Sequence, residues 1–153
     1  VLRGLAVAAQ AGLVYDLVIT AGQLGQATRA AAAVPELTFV LDHLGKPPIA
    51  SGHTDPWEAD LRGLAAQPNT SAKLSGLVTE ADWHYWKVAD LRPYAEVALD
   101  AFGPARMMFG SDWPVCTLAA SYPDVLAAAR DLTAGLSPAG REAVFAGTAT
   151  SVY

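Results

Sequence analysis

The chain is short of cysteine, of charge and of long apolar runs, and each shortage excludes something. Cys116 is the only cysteine in 153 residues, so no disulfide framework and no cysteine-ligated zinc site can be built, which suits a reducing compartment such as the cytoplasm. Charged residues make up 16% of the chain, against about 25% in an ordinary soluble domain. Much of the surface is therefore expected to lie between layers of structure. A net charge of −5 leaves no basic patch for nucleic acid. No apolar run approaches the ~20 residues a membrane span needs. There is no glycine-rich phosphate loop, no P-loop lysine and no Gly-x-Ser-x-Gly elbow. The chain opens on Val1 without methionine, and a targeting segment could precede it.

What is present is a hydrophobic content of 52%, ample for one domain with a real core. Alanine-rich amphipathic stretches alternate with short β-rich runs. Helices are expected from Leu2 to Ala11, from Gln23 to Ala33, from Pro56 to about Ala66 and from about Leu91 to Phe102. Two more are expected from Ser121 to Leu136 and from Ser137-Pro138 to a stop near Gly147. Strands are expected at Leu13–Ile19, Leu37–Asp42, Thr70–Ser75 and Arg106–Ser111. The stretch from Gly76 to Asp90 reads as a long aromatic loop.

This rhythm specifies an α/β fold of parallel βα repeats. Strand ends near positions 19, 43, 75 and 111 recur at the pace of a (β/α)8 barrel, whose ~250 residues give about 31 per unit. By that measure the chain is a single domain carrying about half of a TIM barrel. A half barrel leaves two sheet edges unpaired, so a missing N-terminal half or a homo-oligomer is expected. An open flavodoxin-like sheet of four strands is the alternative.

Two apolar strands break off at acid–base groups: Phe39-Val40-Leu41-Asp42-His43 and Met107-Met108-Phe109-Gly110-Ser111-Asp112. Parallel α/β folds carry their chemistry at such carboxyl ends. His43 is a candidate metal ligand or acid–base group, or else a histidine satisfied by a loop carbonyl. Asp112 is a candidate metal ligand or acceptor of a water proton, or else a turn cap. Side chains alternate along a strand, so Asp42 is expected to point away from His43. Ser71, Lys73 and Ser75 share one face of the third strand and suggest a substrate-facing wall. Lys73 would hold a carboxylate or hydroxyl there, or be neutralised by Asp16. His53 and His84 read as surface histidines and Cys116 as a small buried hydrophobe. Trp57, Trp83 and Trp86 read as packing anchors, and Glu80 is a weak site candidate.

The segments Phe39–Pro47, Lys73-Leu74-Ser75-Gly76-Leu77 and Phe109-Gly110-Ser111-Asp112-Trp113-Pro114 together resemble the amidohydrolase-related TIM-barrel hydrolases, especially the branch that opens sugar lactones. The resemblance implies that His43 ends a mid-barrel strand and Asp112 the last one. They would be catalytic residues and ligands of a divalent metal, most often zinc. It implies a small lactone or carboxylate substrate bound by Lys73, Ser75, Gln23 and Trp113, with a role in carbohydrate catabolism. The first-strand His-x-His pair of that family has no counterpart here, so the chain resembles the C-terminal half of such an enzyme. A decarboxylase of the same superfamily and a non-catalytic half barrel are the rival expectations.

Overall fold

A computed structural model describes all 153 residues. Helix α1 (Leu2–Gln10) leads into strand β1 (Val14–Leu17), then α2 (Leu24–Ala33) and β2 (Thr38–Leu41). Next come α3 (Trp57–Ala65), β3 (Thr70–Leu74), the short α4 (Leu77–Glu80) and α5 (Val88–Phe102). Strand β4 (Met107–Phe109) precedes α6 (Tyr122–Leu132), α7 (Pro138–Glu142), a π-turn at Ala143–Gly147 and α8 (Thr148–Val152). No helix is long and apolar enough to cross a membrane.

The four strands form one sheet in the order β1-β2-β3-β4, every neighbouring pair parallel. A doubly wound open sheet reverses its strand order at a switch point. This one never reverses, which is the winding of half a (β/α)8 barrel. The register aligns Phe39 with Thr70, and Ala72 with Met107. Side chains of odd and even parity therefore divide cleanly between two faces. Leu17, Phe39, Leu41, Ala72, Leu74 and Met107 join a buried apolar cluster with Leu24, Leu61, Leu64, Leu91 and Ala95 from the helices. The opposite face carries Asp16, Val40, Ser71, Lys73 and Met108 and has no helix layer of its own.

The base of the sheet, at the amino ends of the strands, is sealed by two polar side chains. The Asn69 amide donates to the carbonyls of Ala31, Val34 and Leu37 at 2.9–3.2 Å. The Arg106 guanidinium donates to those of Ala65, Gln67, Thr70 and Phe102 at 2.9–3.3 Å. Most of these carbonyls lie at helix ends or in the turns that follow them, where the backbone has few donors to offer.

Strands β1, β2 and β4 are shorter than expected at both ends and β3 at its carboxyl end alone; apolar flanking residues such as Leu13 and Val18 stand exposed beyond the ladder. Helix α5 starts three residues earlier than the sequence suggests, at Val88. The Asp90 carboxylate accepts from the Lys87 N–H at 2.8 Å and caps that start. The expected stop at Gly147 is overturned: the chain runs on through the π-turn into α8. The tail ends with Tyr153, whose hydroxyl donates to Asp16 and whose ring lies 5.4 Å from the Lys73 ammonium.

Candidate active site

His43, Ser75 and Asp112 all lie just past the carboxyl ends of their strands, β2, β3 and β4 respectively. The ring Nδ1 of His43 is 2.9 Å from the Ser75 hydroxyl. Its other nitrogen, Nε2, faces Asp112 Oδ1 across 3.6 Å, with both side chains less than one-fifth exposed. The pair that the sequence could only suggest is thus brought together at the carboxyl ends of the strands.

The gap between Nε2 and Oδ1 carries chemical information. Direct hydrogen bonds of this kind span about 2.7–3.2 Å, so 3.6 Å is too long for one. Two ligands of a tetrahedral zinc, each about 2.0–2.1 Å from it, sit roughly 3.4 Å apart. Ser75 Oγ has the Lys73 carbonyl as a distant acceptor at 3.5 Å, which leaves it free to accept from an Nδ1–H. That tautomer turns the Nε2 lone pair toward the carboxylate, an arrangement favoured only with a proton or cation between them. The donor set therefore fits a divalent cation. It fits only as part of a site, since no group of three or more His, Cys, Asp and Glu side chains is gathered anywhere in the chain.

The backbone around these groups is unusual. His43, Leu44, Gly45 and Lys46 all have left-handed φ angles, 54°, 50°, 68° and 54°, and Asp112 has 57°. For residues with a Cβ this costs about 1–2 kcal/mol each. The left-handed turn also undoes the expected alternation. Asp42 does not point away from His43: both reach the side that bears Lys73 and Ser75. Gly76 (φ 65°) completes the seat, because a Cβ there would meet the His43 ring at 2.8 Å. Neither the turn nor the role of Gly76 has a signal in local sequence patterning.

The remaining expected site residues divide. Lys73 sits 2.7 Å from Asp42 Oδ1 and 3.3 Å from Asp16 Oδ2. The contact with Asp42 compensates the charge on the buried Asp42 Oδ1. Burial pulls the Lys73 pKa down, but the pairing with Asp42 and Tyr153 and the charges of Asp42 and Asp16 outweigh it and hold the value above the ordinary lysine range. Lys73 is thus neutralised within the protein, as the pairing with Asp16 anticipates. Gln23 is a correction. Its Oε1 accepts from the Thr20 N–H and hydroxyl, and the residue lines a helix-side groove with Leu5, Leu17 and Phe39, away from His43. Trp113 follows Asp112 directly and is two-thirds exposed. Glu80 accepts from Lys46 Nζ at 3.1 Å, making Lys46 a mouth residue the sequence reading passed over.

His53 and His84 stay in loops, and Cys116 is buried and free. Burial and the neighbouring Asp112 carboxylate raise its thiol pKa, the reverse of an activated nucleophile. Trp86 donates to the Ala119 carbonyl at 3.0 Å and ties the loop after β3 to the loop after β4.

Known proteins resemble this chain in sequence and fold. The family model for amidohydrolases matches residues 2–153. An L-fucono-1,5-lactonase of Burkholderia multivorans is 45% identical over 99% of this chain and 54% of its own length. An L-fucono-1,5-lactonase of Burkholderia ambifaria is 39% identical over 92% of this chain and 50% of its own. Among solved structures, an amidohydrolase from Burkholderia multivorans with bound zinc superposes with a TM-score of 0.93 at 45% identity, covering 99% of this chain and 56% of that one. The chain spans about half the length of the curated relatives it matches.

Proposed function

Because this chain belongs to the amidohydrolase family, we propose that it forms the C-terminal half of a barrel that hydrolyses a small sugar-type lactone. The observation that carries the reading is the 3.6 Å approach of His43 Nε2 to Asp112 Oδ1 at the carboxyl ends of parallel strands. The 45% identity to an L-fucono-1,5-lactonase supports an aldonolactone as the substrate class. The unpaired outer edges of β1 and β4 support a complementary half that supplies further ligands.

In this reading Asp112 is the general base that takes the proton of the attacking water. His43 stands beside it with the Nε2 lone pair turned toward the carboxylate and the ring fixed by Ser75. Both residues would hold a zinc ion, which when bound supplies Lewis acidity toward the carbonyl oxygen and the water. Asp112 later returns its proton to the ring oxygen as the C–O bond breaks, giving the open hydroxy acid. Trp113 offers an exposed indole face at the rim against which a sugar ring can stack. Lys73 and Ser75 act within the protein, one balancing Asp42 and Asp16 and the other orienting His43. A cytoplasmic location and a part in carbohydrate catabolism belong to the same proposal.

The test is direct. The protein carrying these residues with its complementary half, loaded with zinc, is given L-fucono-1,5-lactone and related aldonolactones, and proton release is followed. Ring opening well above the spontaneous rate, abolished by a chelator and restored by zinc, is expected. A zinc-loaded, folded protein that leaves every aldonolactone untouched refutes the reading.

A further inference from the structure

The left-handed turn that carries His43 is gripped from three helices. From α2, the Leu24 side chain presses on Gly45 so closely that a Cβ there would lie 2.9 Å from it. From the first position of α3, the Trp57 indole N–H donates to the Leu44 carbonyl at 2.7 Å. From α5, the Tyr94 ring packs on Trp57 with centroids 5.3 Å apart, and its hydroxyl donates to the His53 carbonyl at 3.0 Å. Trp57 and Leu44 are both essentially fully buried.

A run of left-handed residues does not hold itself in place. Each residue with a Cβ would relax toward the ordinary right-handed or extended regions, and His43 would then leave Ser75 and Asp112. Such strain persists only where surrounding contacts over-determine it. The one hydrogen bond that reaches into the turn from another element at Leu44 is the one from Trp57. Bulk alone could be supplied there by any large apolar residue. The indole N–H is what addresses the carbonyl.

We propose that Trp57 is a positioning residue for His43: its indole N–H locks the Leu44 carbonyl and thereby holds the strained turn that aims the imidazole at Asp112. The importance of that aim for catalysis rests on the lactonase reading above, whereas the positioning itself can be read without substrate. The Trp57 indole N–H bonds the Leu44 carbonyl, while the His43 ring nitrogens face Ser75 and Asp112, so its polar influence on the imidazole runs through the backbone.

The experiment uses NMR of the protein with its complementary half, with histidine and glycine labelled in this chain alone. The His43 ring is assigned by comparison with His53→Gln and His84→Gln. In the native chain a strong cross-relaxation peak is expected between the His43 ring and the Gly76 α-protons. Trp57→Phe keeps an aromatic ring against Tyr94 and deletes only the donor. It should abolish that peak and move the ring resonances toward those of free histidine, in a chain that still melts cooperatively. Leu5→Ala, in the core under α1, serves as the destabilised control and should leave the peak intact. If Trp57→Phe does not fold, benzothienylalanine at position 57, an isostere without the N–H, decides by the same criteria. An unchanged peak without the donor, or equal loss in Leu5→Ala, overturns the proposal. Lactone opening does not enter the readout, so a failed lactonase reading and a failed positioning role are told apart.

Discussion

The two ends of the sheet are built on opposite principles. At the base, Asn69 and Arg106 between them donate to eight carbonyls. Every donor there is consumed by the fold. At the mouth, four residues with a Cβ hold left-handed φ angles, and an imidazole faces a carboxylate across 3.6 Å. Both ends are polar, so polarity by itself distinguishes nothing. The difference lies in whether polar groups are satisfied internally or left aimed at something outside the chain. Barrel folds place chemistry at the carboxyl ends of strands and stability at the other end, and the proposed site of this half barrel follows that division.

Substitutions at the two ends should therefore separate rate from stability. The largest effect is expected at Gly76→Ala, whose new Cβ must displace the His43 ring. Misplacing a catalytic group by about an ångström costs on the order of 10²-fold in rate, and kcat of the whole enzyme should fall by that much while the protein remains folded. Gly76→Ala with normal kcat would break the account of the mouth. At the base, Asn69→Ala leaves three carbonyls without their donor and should cost roughly 2–3 kcal/mol of stability. Thermal melting should fall by about 5–10 °C in a chain of this size, with kcat unchanged at a temperature where the variant stays folded. A rate loss in Asn69→Ala as deep as in Gly76→Ala would erase the distinction between the two ends.

The smallest expected effect is a pH dependence that sharpens the picture of the inner face. Lys73 has its pKa raised by Asp42, Tyr153 and Asp16 against the opposing pull of burial. A raised pKa means that the folded chain holds the proton more tightly than the unfolded one. The stabilisation is complete below the ordinary lysine range and fades as pH climbs through the raised value. Tyr153 shifts upward as well, from burial and its bond to Asp16, and works in the same direction. Urea midpoints above pH 10 should decline more steeply in the native chain than in Lys73→Met. Parallel alkaline limbs would show that Lys73 is not linked to folding in this way.

Much of this division could be read before any coordinates. Strands β2 and β4 announce themselves because Phe39-Val40-Leu41 and Met107-Met108-Phe109 are uninterrupted apolar runs that end in polar groups. Parallel topology alone puts His43 and Asp112 at the same end of the sheet. The Asp16–Lys73 pair follows from strand parity. What could not be read is anything that depends on a left-handed backbone. The alternation rule sends Asp42 and His43 to opposite faces, and it fails because His43 has already left the β region. Gln23 looked like a mouth residue by position, but a local cap with Thr20 claims its side-chain oxygen. Gly147 looked like a helix stop, yet it sits at right-handed angles, φ −58° and ψ −46°, within a continuous helical run. Trp57 was legible as an anchor, while its donor function depends on a carbonyl thirteen residues away.

The most direct measurement of the central claim is a double-mutant cycle on lactone opening with His43→Asn and Asp112→Asn in the whole enzyme. If the two groups serve one centre, each substitution alone should lower kcat/KM by about 10²–10⁴-fold, and the pair together by little more than the worse of the two. Losses that simply multiply would mean that the imidazole and the carboxylate act apart, and the shared site would have to be abandoned.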